Sequence, residues 1–275
     1  MIIKRPPTSS EEYQLIFQWL DERSNYSIGA MAFLNQTQPT NAEWQLLRLY
    51  DSQNAKQLLG VAVIIAGNTC FWVPSEASSG SLLCTSILQL QPRRIVTTAI
   101  GRDLLHAEIK QKGFILREYD QWIMVCSRQF SEAQGRLAEL SDIARLNEYQ
   151  LQYNTERSVN ETPDWTSLIQ QQKIIVLEAD DQIVSIVRLG IETNRLVSIG
   201  GTYTFPAYRR KGFAERVLKF AVNRIVATGR VAHLIVDVDN TPAVTLYRRM
   251  GFECVASSYI AYPEYLYKSF IFKPV

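Results

Sequence analysis

Residues 199–218 read IGGTYTFPAYRRKGFAERVL, and their reading decides the fold. A β-rich run carrying Gly200-Gly201 leads to Pro206. Arg209-Arg210-Lys211-Gly212-Phe213-Ala214 then opens a segment in which Val217, Leu218, Ala221, Val222 and Ile225 recur at the three- and four-residue steps of a helix. A helix N-terminus leaves its first amide N–H groups without intrahelical partners and carries partial positive charge, so it attracts anions. Gly212 lets the backbone turn and Ala214 keeps the ligand side small, which lets a pyrophosphate approach closely. Six basic residues, Arg209, Arg210, Lys211, Arg216, Lys219 and Arg224, stand between Phe205 and Arg224 against the single acid Glu215. Hydrogen bonds from ionised donors to phosphate are worth about 1.5 to 3 kcal/mol each, so such a loop anchors a nucleotide-like group. A solvated basic loop capping a helix is the blander reading.

The segment downstream weighs against the bland reading. A strand over 234–238 ends in Asp239-Asn240, and a helical pattern follows through Ala243, Leu246 and Tyr247 to Gly251-Phe252. With both segments in view, the chain resembles the GNAT N-acetyltransferase superfamily. Arg209-x-x-Gly212-x-Ala214 matches that family's (Q/R)-x-x-G-x-(G/A) signature. Residues 237–252, DVDNTPAVTLYRRMGF, are close to its D-x-x-N-x-x-A-x-x-L-Y-x-x-x-G-F. The resemblance covers 137–262 and implies an α+β fold built on a mixed sheet, the acyl-CoA N-acyltransferase fold.

The resemblance implies a site. Backbone groups of Tyr203, Thr204 and Phe205 would face the pantetheine arm of acetyl-CoA, which enters like an added strand. Arg209, Arg210, Lys211, Gly212, Phe213 and Ala214 would hold the pyrophosphate, Asn240 would hydrogen-bond the amide-rich arm, and Tyr247 would sit near the sulfur. A Tyr packing its ring on the sheet is the structural alternative for Tyr247. No metal is implied.

Acetyl transfer needs a neutral amine, a place for the oxyanion and a proton for the thiolate. Tyr247, with an unperturbed pKa near 10, is the expected general acid. A backbone N–H on the strand ending at Tyr203 to Phe205 is the expected oxyanion donor. Gly200-Gly201 marks a bulge or a close backbone approach there, or merely a weakened strand. Relatives often carry a Glu at the position aligned with Ser198, yet no carboxylate lies between Glu192 and Glu215. A water chain through Ser198 is the expected proton route, with Glu161 or Glu192 reaching in, or an acceptor of low pKa, as alternatives.

Elsewhere in this half, 137–149 reads as a helix, 166–172 as a short helix, 173–179 and 182–191 as two strands joined at Asp180-Asp181, and 252–262 and 266–272 as further strands. The remainder of the chain fits around this half. Its 275 residues, 47% hydrophobic and 20% charged with net charge +2, allow two ordinary domains and exclude disorder. Near-neutral charge argues against duplex nucleic acid as partner and makes any basic patch local. The longest apolar run, 58–67, is far short of the roughly 18 to 20 residues that span a bilayer. The N-terminal residues carry no apolar signal region, so the expected location is cytoplasmic and no membrane partner is expected. Cys70, Cys84, Cys126 and Cys254 are scattered, with His106 and His233 the only histidines, which disfavours a zinc site.

The first half reads as mixed α and β: a helical pattern over 11–34 interrupted near 24–27, a hairpin over 58–73, a strand at 94–99, a helix over 102–112 closed by Gly113, and a strand at 115–125. Ile109-Lys110-Gln111-Lys112-Gly113-Phe114 parallels Tyr247-Arg248-Arg249-Met250-Gly251-Phe252, so an internal duplication is expected, with Ile109 opposite Tyr247 and Arg102 opposite Asn240. The polar stretch 127–135 is the expected boundary, giving a degenerate GNAT-like domain at 1–130 and an acetyl-CoA-binding catalytic domain at 131–275. The expected function is acetyl transfer from acetyl-CoA to a primary amine of a small-molecule or peptide acceptor. A non-catalytic acyl-CoA sensor is the alternative, and aminoacyl transfer from tRNA is disfavoured by the retained loop.

Overall fold

A computed structural model describes residues 2–3, 9–36, 45–54, 57–65, 68–75, 77–157 and 160–266. In chain order they form β1 (Ile2–Ile3), α1 (Ser10–Asp21), α2 (Ser24–Gln36), β2 (Gln45–Tyr50), β3 (Leu58–Ile65), β4 (Thr69–Pro74), α3 (Ala77–Gln89), β5 (Arg94–Thr97), α4 (Ala99–Glu108) and β6 (Gly113–Cys126). Then follow β7 (Arg136–Leu137), α5 (Ile143–Arg157), α6 (Trp165–Gln170), β8 (Ile174–Ala179), β9 (Gln182–Glu192), β10 (Leu196–Thr204), α7 (Phe213–Val226), β11 (Val231–Asp237), α8 (Thr241–Arg249) and β12 (Glu253–Tyr265). The two runs repeat one order, β-α-α-β-β-β-α-β-α-β, short 3-10 turns aside. A strand expected over 266–272 lies, beyond its first residue, outside the described residues.

The chain divides into two compact units, neither contiguous in sequence: Met1–Ile123 with Ile235–Asn240 and Cys254–Val275, and Met124–Leu234 with Thr241–Glu253. In the first unit the strand order is β1-β2-β3-β4-β5-β12-β6. β4 and β5 run parallel from Thr69↔Arg94 to Phe71↔Val96. β12, which the sequence groups with the second half, lies antiparallel to β5 with Tyr259↔Thr97 and Ala261↔Ile95 in register. Trp72, Cys84, Ile87, Leu88, Ile95, Leu105 and Tyr259 share one core cluster of this unit. Ile16, Leu20, Met31, Leu46, Val61 and Val63 share another.

Two elements of the first unit escape a reading by periodicity. α3 begins Ala-Ser-Ser-Gly, in which Ser and Gly are weak helix formers, and it buries Leu83, Cys84, Ile87 and Leu88 further along. β2 is buried over Leu46–Tyr50 with no alternation to betray it. Gly113, expected to close a helix, opens β6 instead. A Cβ there would stand 2.1 Å from the Glu264 carbonyl oxygen, so the position needs glycine for a close backbone approach.

The second unit orders its strands β11-β10-β9-β8-β7. β8 and β9 join at Asp180-Asp181, both left-handed with φ of 51° and 58°, the geometry a two-residue hairpin requires. α7 buries Val217, Leu218, Ala221, Val222 and Ile225, and burial of each larger side chain contributes about 1.5 to 3 kcal/mol. Leu146 and Tyr149 of α5 and Trp165 of α6 cluster with Ile174, Val176, Ile186, Tyr203 and Phe205. α5 starts six residues later than its expected 137, because the Asp142 carboxylate accepts the Glu139 N–H at 2.7 Å and binds Arg136 at 2.7 and 3.0 Å. The polar stretch 127–135 is tied to α7, where the Asn223 amide exchanges two hydrogen bonds of 2.8 Å with the Phe130 backbone.

Candidate active site

β10 supplies the floor of the site. It runs parallel to β11 from Leu196↔Val231 to Ile199↔Leu234 and antiparallel to β9 on its other side. Against β9 the register steps from Gly200↔Arg188 to Tyr203↔Ile186, so one extra residue of β10 is accommodated in a bulge. Gly201 sits there with φ of 55°, and an added Cβ would lie 2.1 Å from Arg188 Nε. Of the alternatives expected at Gly200-Gly201, the bulge is present and falls at Gly201, where the approaching group is the Arg188 side chain and not a backbone. Its carbonyl accepts the Tyr149 hydroxyl at 3.0 Å.

After Phe205 the chain makes a short 3-10 turn, Pro206–Tyr208, and enters the basic loop. Arg210 and Gly212 both lie in the left-handed region, with φ of 65° and 79°, and Gly212 is the N-cap of α7. Alternation of this kind makes successive amides converge into an anion-binding concavity. A Cβ on Gly212 would meet nothing within 4 Å. The first-turn amides of Phe213, Ala214 and Glu215 have no intrahelical acceptors.

The six basic side chains divide into two groups. Arg209 donates through Nη2 to both oxygens of Glu156 at 2.8 Å and through Nε to the Thr204 carbonyl at 2.9 Å. Arg216 donates to Gln134 Oε1 at 3.0 Å and to the Lys211 carbonyl at 3.1 Å. Lys219 pairs with Glu215 at 3.0 Å and Arg224 donates to Gln172 Oε1 at 3.1 Å. Arg210 and Lys211 are exposed. Among the described residues the Lys211 side chain has only a cation–π contact, 5.5 Å from the Tyr208 ring, and the Arg210 side chain has no hydrogen bond or ion pair.

Tyr247 is carried by α8 onto β10, where the Thr202 side chain hydrogen-bonds its hydroxyl. Its ring lies 5.5 Å from that of Phe252. Burial pushes the phenol above its ordinary pKa of 10, while the Thr202 hydrogen bond and the Arg157 charge oppose the shift. Gly251, with φ of 83°, ends α8, and the Phe252 N–H returns to the Tyr247 carbonyl at 3.0 Å. Asn240 immediately precedes α8 and its N–H reaches the Asp237 carbonyl at 3.0 Å.

Ser198 lies on β10 beside Gly190, where a Cβ would approach Ser198 Oγ to 2.6 Å. Its parallel-register neighbour is His233, fully buried, and paired residues of parallel strands point to one face. Glu161 pairs with Arg188 at 3.0 Å and Glu192 with Arg230 at 2.6 Å. Sequence reading passes over four contributors: Arg188, which lies 5.2 Å from the Tyr153 ring; His233, whose signal is its register opposite Ser198; Tyr149; and Glu156. Glu156 lies seven residues past the expected end of α5 and meets Arg209 53 residues on, a pairing without a local signal.

Burial pushes the thiols of Cys70, Cys84 and Cys126 up, Cys84 to about 12, the opposite of what a nucleophile requires. Among the described residues no group of three or more His, Cys, Asp or Glu is placed to hold a metal ion. Nor is any described helix long and apolar enough to cross a membrane.

Residues 138–252 match the family model of the GNAT acetyltransferases. No curated protein matches the chain in sequence at a significant level. Among solved structures, a GCN5-related N-acetyltransferase from Sphaerobacter thermophilus is similar over 96% of this chain and 95% of its own, with TM-score 0.61 and 14% identity. A GNAT-family acetyltransferase from Colwellia psychrerythraea is similar over 96% and 99%, with TM-score 0.55 and 11% identity. A tandem GNAT protein from the clavulanic acid biosynthesis pathway is similar over 98% and 99%, with TM-score 0.53 and 12% identity. At these identities the likeness concerns the fold, which is the GNAT fold in tandem form.

Proposed function

We propose, from the premise that residues 138–252 are a GNAT acetyltransferase domain, that this chain transfers the acetyl group of acetyl-CoA to a primary amine. One observation carries the reading: the left-handed Gly212 cradle at the N-terminus of α7 adjoins a strand, β10, onto which the Tyr247 hydroxyl is hydrogen-bonded through Thr202. The residues suit a pyrophosphate. Converging amides, the open space a Cβ on Gly212 would fill, and the exposed Arg210 and Lys211 present donors without an acidic neighbour in the loop.

In this reading Gly212, Phe213 and Ala214 hold phosphate oxygens through backbone amides, with Arg210 and Lys211 adding charge. Tyr203, Thr204 and Phe205 offer backbone groups to the pantetheine arm, and Asn240 adds a side-chain amide. The acceptor nitrogen attacks the thioester carbonyl carbon, a C–N bond forms and the C–S bond breaks. The departing thiolate takes its proton from Tyr247, whose raised pKa keeps it protonated at neutral pH. The proton lost by the ammonium leaves through water at Ser198, beside His233.

The first unit is read as a half without a coenzyme A site. Eight residues separate β10 from α7, enough for the phosphate loop, whereas two separate β4 from α3. The second reading, a non-catalytic acyl-CoA binder, draws on the ion pairs that occupy Glu161 and Glu192. Thiol release from acetyl-CoA with a panel of amines, with Tyr247→Phe as control, decides between them. If acetyl-CoA binds but no amine raises release above background, the enzyme reading loses.

A further inference from the structure

The two arginines that flank the phosphate loop both fold back onto the chain's own backbone. Arg209 at its entry and Arg216 at its exit hold backbone carbonyls of Thr204 and Lys211, and between them Arg210 keeps a left-handed conformation that costs a non-glycine residue about 1 to 3 kcal/mol. A strained loop persists only where its surroundings over-determine it. Arg209 is over-determined. Its guanidinium grips both oxygens of Glu156, holds the Thr204 carbonyl, and lies 5.3 Å from the centre of the Tyr203 ring. The Tyr203 hydroxyl donates to the same carboxylate at 2.9 Å, and burial, joined by this hydrogen bond, pushes its pKa up to about 12.

Glu156 gains nothing from its place in α5. It is the penultimate residue of that helix, where the macrodipole disfavours an acid. What it meets instead is the first residue of the phosphate-loop signature and a tyrosine of the strand that leads into the loop.

We infer that Glu156 is a positioning residue of the phosphate loop, acting through Arg209, and that Arg209 is a strut of that loop rather than a ligand of the phosphates. The inference rests on the reading of 209–214 as a coenzyme A site. It assigns the phosphate charge to Arg210, Lys211 and the loop amides, and couples α5 to the cofactor loop.

The test is a double-mutant cycle in the full chain, with coenzyme A itself titrated calorimetrically into the wild type, Glu156→Ala, Arg209→Ala and the double variant, and with thermal unfolding followed alongside. The pair is about two-fifths exposed, at 43% and 42%, so a moderate effect is expected, coenzyme A binding about 3- to 10-fold weaker in either single variant. The double variant should bind no more weakly than the singles, since the two residues act as one unit. Tighter binding in Glu156→Ala, as a released Arg209 reaches the phosphates, overturns the inference. So does a far larger loss in Arg209→Ala with additive effects, or a fall in thermal stability with unchanged affinity. A wild type that binds no coenzyme A removes the underlying reading and the inference together; a wild type that binds beside an unaltered Glu156→Ala removes the inference alone.

Discussion

Gly212 and Gly229 bracket the same helix and make a controlled experiment. Both are left-handed, with φ of 79° and 76°, and a Cβ on either would meet nothing within 4 Å. Alanine at each position therefore incurs the same backbone cost, about 1 to 2 kcal/mol for an L-residue held in that region, with no steric term added. Thermal unfolding should fall by a similar few degrees in both variants. The 14 residues of α7 put the two glycines about 20 Å apart, so only Gly212 belongs to the loop. Its methyl group would project into the space where a phosphate oxygen meets the converging amides. Loss of one hydrogen bond to a charged group, about 1.5 to 3 kcal/mol, weakens coenzyme A binding roughly 10- to 150-fold. Isothermal titration of coenzyme A should show that loss in Gly212→Ala and near-wild-type affinity in Gly229→Ala. Equal affinities in the two variants, whatever their stabilities, would refute the placement of the pyrophosphate at this loop.

Tyr247→Phe should lower kcat by about 100-fold or more while the Kd for coenzyme A stays within roughly twofold, since general acids contribute about that much and the ring remains; a parallel loss of binding would make Tyr247 a structural residue. Ser198→Ala should lower kcat/KM and displace its pH profile, and an unchanged profile would remove Ser198 from the proton route. Gly201→Ala should destabilise more than either α7 glycine variant, because its Cβ would lie 2.1 Å from Arg188 Nε as well as at positive φ, and an unaltered unfolding midpoint would contradict the bulge geometry. Burial raises the phenols of Tyr149, Tyr203, Tyr259 and Tyr265, Tyr203 to about 12. The folded chain then holds protons that the unfolded chain releases near pH 10, so this stability is intact below pH 10 and is lost as pH rises through the folded values. Denaturant midpoints that stay level between pH 9 and 11.5 would be inconsistent with it.

Legibility in the sequence followed the range of the interaction. Helix α7 was readable because its buried positions recur at 3.6-residue spacing, and its start because Gly212 stands just before the periodic run. Asp180-Asp181 was readable as a turn because short polar residues tolerate positive φ. The start of α5 was not, since the ion pair of Arg136 with Asp142 competes with helix there. α3 was hidden by a first turn rich in Ser and Gly, whose helix propensity is low.

The basic loop, the strand before it and the tyrosine helix after it were determined by the sequence alone, because each is a local pattern of period, glycine and charge. Which basic side chains the fold engages was not. Arg209, Arg210 and Lys211 are consecutive and all exposed, and only the contacts with Glu156 and Thr204 set the first apart from the other two. The pairing of β12 with β5 was equally invisible, since backbone hydrogen bonds carry no residue code and a strand's partner is chosen by the packing of the whole sheet.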